Sequence, residues 1–486
     1  MRRAIALAAC AAALLACDDS KPAPAAPPPA PPVWSADGPL IFSPMASLSQ
    51  PAGRHGFRFG AATAAAQIEE GITAGDWHWW TLPEAEGGRG QGAAPVGQAV
   101  QGYRRALDDV GLLTGTNLEA YRLNIPWARV EPTRDAIDEA ALAHYDAVLD
   151  ALVAAGVRPM LTVHHFSNPI WAHDFRQPDC PDDAEPTDAN LCGWAHPKGQ
   201  QALVAELAEF AGLLAARYGD RVDEWCTINE PINYLLAAYG AGMFPPGKSF
   251  VITDFERLMG AYVAFLDAHA AVARAIREND TVDADGDGRA TDIGLSLSVA
   301  DWQPARGGMP SSDPEDIQAA EKVWYIYHHL YPDALRTGAF DRDLDGTPEE
   351  PHPGWAGTLD WLGVQYYFRA GVTGRPALIR AIGATPCFGG ILDAACLPVS
   401  DETKWVPTMG YEFYEPGLHT ILTDLGGRYP DLPLVVTEAG IAAENGVRRA
   451  ENVVRTLEQI ARAMAEGVDV RGYYHWSLMD NFEWAE

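Results

Sequence analysis

From residue 57 onward, eight short β-like runs alternate with longer amphipathic stretches, and no other feature constrains the fold as much. The runs span residues 57–62, 120–125, 159–165, 225–229, 293–299, 361–366, 434–437 and 472–477. Between them, apolar residues recur at helical spacing over 140–155, 200–217, 254–277, 317–335 and 449–466. Strict β–α alternation predicts a parallel sheet, because parallel neighbours need a long crossover where antiparallel ones need only a hairpin. Eight repeats predict closure into a single (β/α)8 TIM barrel of the α/β class. Mean domain size would divide 486 residues into about three domains, but one barrel with insertions also reaches beyond ~400 residues.

In such a barrel, ligand-handling side chains collect where the strands end. Here those positions are polar or aromatic. The first run leads to Gln67, the second carries Arg122, the third ends at His165 and the fourth at Asn229-Glu230. The sixth holds Gln365 and Tyr367, the seventh ends at Glu438, and the eighth runs into Trp476. Taken singly, each has a plain structural explanation: a barrel ion pair for Arg122, a core histidine for His165, packing for Trp476. Their convergence on one rim does not, and it predicts an active site built around two carboxylates, Glu230 and Glu438.

Charge narrows the partners. Thirty-five basic against sixty-six acidic residues give a net charge of −31, a surface that repels phosphate backbones, so nucleic acid is excluded as a partner. Fifteen Trp and seventeen Tyr supply stacking surfaces for flat ligands.

The first residues belong to targeting. A basic head, Arg2-Arg3, precedes an unbroken apolar run over residues 4–16, too short to span a bilayer but suited to a signal peptide. Leu14-Leu15-Ala16-Cys17 resembles a bacterial lipobox, so Cys17 is the expected lipidation site, with an ordinary cleaved signal as the alternative. The division expected is a signal at 1–17, a Pro/Ala-rich tether at 18–45, and a catalytic barrel over 46–486. The protein is thus expected outside the cytoplasm, meeting the membrane only through an N-terminal lipid anchor. In an oxidising compartment the simplest pairing of loop cysteines is Cys180 with Cys192 and Cys387 with Cys396. Cys226, inside an apolar run, reads as a buried free thiol.

Phe59-Gly60-Ala61-Ala62-Thr63 with Gln67-Ile68-Glu69 resembles the opening motif of glycoside hydrolase family 1, the β-glucosidase family. Tyr121-Arg122 with Trp127 and Arg129, the 162–171 segment, Thr227-Ile228-Asn229-Glu230-Pro231, Thr437-Glu438-Ala439-Gly440 and the 476–484 segment resemble its further signatures, in the family's order. The resemblance implies a retaining β-glycosidase with Glu438 as nucleophile and Glu230 as acid/base, supported by Arg122, Asn229 and Tyr367. It assigns glycone hydroxyls to Gln67, His165, Glu483 and Trp484, and a stacking floor to Trp476. It requires no cofactor for catalysis. The substrate implied is a β-linked oligosaccharide or an aryl or alkyl β-glycoside. Glu483 argues against a 6-phosphorylated sugar, leaving glucosides, galactosides or fucosides. Trp171 and the aromatic cluster at 76–80 are expected as aglycone platforms.

There are departures from the family pattern. Gln365 and Ala439 stand where the family has asparagine, and altered tuning rather than inactivity is expected. The chain stops at Glu486, where the family continues through a last loop and helix, so a barrel lacking its last helix, and an incomplete C-terminus, are expected. Two other readings use the same barrel: a transglycosylase with the same glutamate pair, and a catalytically silent sugar-binding lipoprotein. Finally, Asp283, Asp285 and Asp287, and separately Asp341, Asp343 and Asp345, form the alternating ladders that open calcium loops. Neither has a glutamate at the closing twelfth position, so they are candidate structural calcium sites with Asp292, Glu349 or Glu350 completing the coordination.

Overall fold

The strands form where β-branched and aromatic residues crowd into short buried runs. The computed structural model describes residues 40–42, 48, 56–387, 395–444 and 446–485. The signal segment with Cys17, and the tether apart from 40–42, lie outside the described residues. Eight strands are β1 (Arg58–Ala62), β2 (Ala120–Asn124), β3 (Arg158–His164), β4 (Glu224–Asn229), β5 (Asp292–Arg306), β6 (Trp361–Thr373), β7 (Leu434–Ala439) and β8 (Val470–Trp476). Each pairs in parallel with its neighbours in chain order. β8 returns to β1 through Gly60↔Tyr474 and Ala62↔Trp476, which closes the barrel.

The outer helices include α1 (Gly102–Gly115), α2 (Glu139–Ala154), α3 (Gly199–Tyr218), α4 (Phe255–Asn279), α5 (Pro314–His328), α6 (Leu330–Thr337), α7 (Glu415–Arg428) and α8 (Gly446–Ala465). Local chemistry starts several of them. Asp138 accepts from the Ala140 and Ala141 amides at α2, and Asp313 caps α5 just before Pro314. The single helix expected over 317–335 is two, separated at His329. Pro332 explains the break: it has no amide hydrogen, and its ring would meet the carbonyl of His328 four residues earlier. Among the described residues, no helix is long and apolar enough to cross a membrane.

Two features position the site. At the barrel bottom, Arg58 is fully buried and bonded to Glu224, which also accepts from Arg158 Nη2 at 3.1 Å. Leu48 packs there against Met160, Trp361 and Val435, and its carbonyl accepts from Arg471. At the top, β5 and β6 run on together past the barrel proper, pairing through Asp301↔Arg369 to Pro304↔Val372. A hairpin of Trp405–Val406 and Tyr411–Glu412 adds to this extension through Glu412↔Arg369.

Candidate active site

Glu438 stands at the end of β7, fully inside the barrel mouth. Arg122 Nη1 donates to its Oε1 at 2.5 Å, Gln365 Nε2 to the same oxygen at 2.7 Å, and Tyr367 OH to Oε2 at 2.7 Å. The approach of β7 to β8 depends on glycine: a Cβ on Gly440 would lie 2.0 Å from the Trp476 carbonyl oxygen. Asn229 Oδ1 accepts from Arg122 Nη2 at 2.6 Å and from Gln365 Nε2 at 2.8 Å. With that oxygen engaged, the amide nitrogen of Asn229 is the donor available to a ligand.

Glu230 follows β4 in a left-handed conformation, φ 41°, and Pro231 then opens a short helix, Pro231–Leu235. Its amide donates to the Ser296 carbonyl at 2.8 Å, which fixes the elbow. Phe166 and Trp484 also hold positive φ, at 58° and 47°, so three non-glycine residues in a disfavoured region surround one cavity. Asn233, one turn along the short helix, donates to Glu230 Oε2 at 2.9 Å.

The two carboxyls sit in different electrostatic surroundings. Burial first, then the charge of Glu438, pushes Glu230 up to about 8, against the opposing hydrogen bond from Asn233. Burial also raises Glu438, but Arg122 and Tyr367 oppose it. Of the pair, Glu438 is the one that ionises first, because it is bonded directly to a guanidinium and receives three hydrogen bonds. Tyr367 is held protonated by burial and by the Glu438 charge, so it remains a donor.

Asn229, Glu230, Asn233, Tyr367 and Glu438 line a cavity of about 870 Å³ together with His165, Trp476, Glu483 and Trp484. His165 is neutral, its imidazole pushed down by burial and then by Arg122, and its Nδ1 has no hydrogen-bond partner. Its ring lies 6.0 Å from Trp476 and 5.8 Å from Trp484. Gln67 does not line the cavity. It is buried behind the wall and donates to Asn481 Oδ1 at 3.0 Å and the Phe482 carbonyl at 2.5 Å, so it holds the segment that carries Glu483 and Trp484.

The expected aromatic platforms are not at the mouth. Trp171 is buried and donates to the Glu131 carbonyl at 3.1 Å, and Trp77 donates to the Phe166 carbonyl at 2.8 Å. Trp77 lies 5.0 Å behind Trp484 and Trp80 packs on Phe175, so the 76–80 cluster supports the sugar end from behind. The outer wall is instead made by Met243, Phe368, Leu397, Val399, Trp405 and Met409. Sequence reasoning missed these and Asn233; only Asn233 left a signal, three residues after Glu230 on a helix start.

Both disulfides form, Cys180–Cys192 and Cys387–Cys396, and Cys226 is a buried free thiol. Both acidic loops precede strands at the barrel bottom, β5 and β6 respectively. In the first, Asp283 accepts from the amides of Gly286, Asp287 and Gly288, and Arg158 pairs with Asp285. Asp223 joins Asp283 and Asp285 there, while Asp287 stands outside that cluster and Asp292 pairs with Arg289. In the second, oxygens of Asp341, Asp343, Asp345 and Glu349 all lie within 4.8 Å of one another, while Glu350 is bonded to Arg342 and His352.

The model of Glycosyl hydrolase family 1 matches residues 52–486. A β-galactosidase of Pyrococcus woesei is 28% identical over 479 residues, covering 88% of this chain and 89% of that one. A bifunctional β-D-glucosidase/β-D-fucosidase of Bifidobacterium breve is 29% identical over 477 residues, covering 88% and 90%. The fold matches a rice Os3BGlu6 β-glucosidase with a TM-score of 0.73 at 23% identity, over 90% of this chain and 93% of that one. The chain belongs to glycosyl hydrolase family 1 and is a retaining β-glycosidase.

Proposed function

We propose that Glu438 attacks the anomeric carbon of an unphosphorylated β-glucoside, β-galactoside or β-fucoside while Glu230 protonates the departing oxygen. The observation that carries this is the unequal pair: one carboxyl held by Arg122, Gln365 and Tyr367, the other pushed up to about 8 opposite it. Attack turns Glu438 into a neutral ester and removes the charge that kept Glu230 protonated. Glu230 then takes a proton from water, which opens the ester with a second inversion and so returns the β-anomer. Asn229 donates to the sugar 2-hydroxyl, and His165, Glu483 and Trp484 hold the remaining hydroxyls above Trp476. Gln67 contributes by fixing the 481–482 backbone. Neither step uses a metal or an organic cofactor. Glu483 in a cavity that already holds two glutamates repels a phosphorylated glycone. The names of the two sequence relatives, a β-galactosidase and a glucosidase/fucosidase, support a glycone drawn from these three.

A 2-fluoro β-glycoside slows breakdown of the ester and should label Glu438, as read by peptide mass mapping. A label on another residue, or release of the α-anomer by NMR, overturns the assignment.

Two features outside the cavity complete the reading. Calcium binds the second acidic loop, through Asp341, Asp343, Asp345 and Glu349, as a structural ion. The first loop does not need one, since the Arg158 guanidinium already pairs with Asp285 in its cluster. The enzyme is exported and held by a lipid on Cys17, as the apolar run over 4–16 and the Pro/Ala segment indicate. Radiolabelled palmitate should be incorporated by the wild type and not by Cys17→Ser.

A further inference from the structure

The cavity changes character along its length. At the inner end, carboxylate, amide and imidazole groups converge from His165, Asn229, Glu230, Glu438 and Glu483. The outer wall is apolar, and two of its members are open to solvent: Met243 is 50% exposed and Trp405 37%. The charged side chains among them are already engaged. Arg369 donates to Glu412 at 2.7 Å and to the Pro398 carbonyl at 3.0 Å. Arg449 donates to Asp480 at 3.0 Å and to the Ala443 carbonyl at 3.2 Å. An oligosaccharide presents several hydroxyls per ring, and each one desolvated without a partner weakens binding. Among the described residues, the outer wall offers few further groups to meet them.

The wall is also firmly built. Phe368 stacks on Tyr411 at 5.2 Å on the hairpin that carries Trp405, and the Cys387–Cys396 bridge fixes the start of the strip holding Leu397 and Val399. A preformed apolar surface of this kind binds by burial rather than by hydrogen-bond readout. We propose that the outer half of the cavity is an aglycone site for bulky aliphatic or aromatic alcohols, with Trp405 as its main platform, so that β-glycosides of such alcohols are bound in preference to β-linked oligosaccharides. This rests on the glycosidase reading for the orientation of the sugar, but binding tests it without turnover.

The probes are n-alkyl 1-thio-β-glucosides from methyl to octyl, used below micelle formation and read by calorimetry, beside thiocellobiose and thiocellotriose. Affinity should rise roughly two- to fourfold per methylene, the upper figure being ~0.8 kcal/mol of full burial expressed as an equilibrium ratio, with a negative heat-capacity change. The thio-oligosaccharides should gain nothing with length. Trp405→Ala should flatten the alkyl series, and Trp405→Phe should restore part of its slope. A flat series in the wild type, a slope unchanged in Trp405→Ala, or affinity that grows with the number of sugars overturns the proposal. Absence of aryl β-glycoside hydrolysis alongside an intact alkyl slope would count against the catalytic reading alone.

Discussion

Strand β4 carries a buried glutamate at each end, and the two have opposite fates. Glu224, at the bottom, lies against Arg58 and receives Arg158, so its charge is met by guanidinium groups from β1 and from the adjacent β3. Glu230, just past the top, is hydrogen-bonded to Asn233 and, among the described residues, forms no ion pair, while it faces the charges of Glu438 and Glu483. Both side chains are removed from water. Burial beside a guanidinium makes a carboxylate part of the frame, whereas burial opposite another carboxylate makes it a proton store. One barrel therefore uses the same side chain for cohesion at one end and for chemistry at the other.

The comparison breaks if the two glutamates respond alike to removal. Glu230→Ala should lose ~10²–10⁴-fold in turnover of substrates with poor leaving groups, lose little with dinitrophenyl glycosides, and be rescued by azide as the β-glycosyl azide. Glu224→Ala should leave Arg58 buried without its partner and cost ~3–5 kcal/mol of stability, while the folded fraction keeps its activity. Denaturation midpoints and active-site titration of both variants decide the matter.

The pH profile sharpens it. Activity needs Glu438 ionised and Glu230 protonated, so kcat/KM should fall on the acid side as Glu438 gains a proton and on the alkaline side through about 8 as Glu230 loses its own. Tyr367→Phe removes one of the donors that hold the Glu438 charge. Its acid limb should move to higher pH, with the alkaline limb less affected; an unmoved acid limb would mean that Tyr367 does not support the nucleophile.

Stability should carry the same signature. Glu230 is raised on folding, so the folded state holds its proton where the unfolded chain has released it. The stability it supports is complete below the ordinary glutamate range and is lost as pH rises towards about 8. Glu230→Gln should therefore melt higher than the wild type, by a margin that widens from pH 5 to pH 8. A margin independent of pH would show that the carboxyl is not a proton store.

The smallest effect is expected at the second acidic loop. Chelation should lower the melting temperature by linkage and leave 25 °C kinetics nearly unchanged, because Asp341–Glu349 precedes β6 at the bottom. No shift on chelation, or a shift that persists in Asp343→Asn/Asp345→Asn, removes calcium from the account.

The two ends of the barrel were not equally legible in the sequence. All eight strands could be read, because each is a short apolar run whose last residues turn polar, and that pattern pointed at Glu230, Glu438, Arg122 and Tyr367. The outer wall could not be read. Trp405 lies on a two-residue strand and Met409 in the turn that follows it, neither with any periodicity, and what brings them to the mouth is the outgrowth of β5 and β6, a matter of pairing rather than pattern. The aromatic run at 76–80 misled for the opposite reason. Its density suggests a platform, yet Trp77 turns inward to hold Phe166 and Trp484, Trp80 packs on Phe175 and Trp79 lies under Arg176. Asp223 joins Asp283 and Asp285 from some sixty residues away, a proximity that the parallel pairing of β4 with β5 creates.

The chain enters the barrel from beneath. Phe42 packs on Phe57 and Phe59 beside the start of β1, and Leu48 plugs the floor under Met160 and Trp361. Residues 40–42 thus lie on the side opposite the catalytic mouth. An attachment made through that end would reach the barrel without crossing its opening, so the mouth would stay unobstructed.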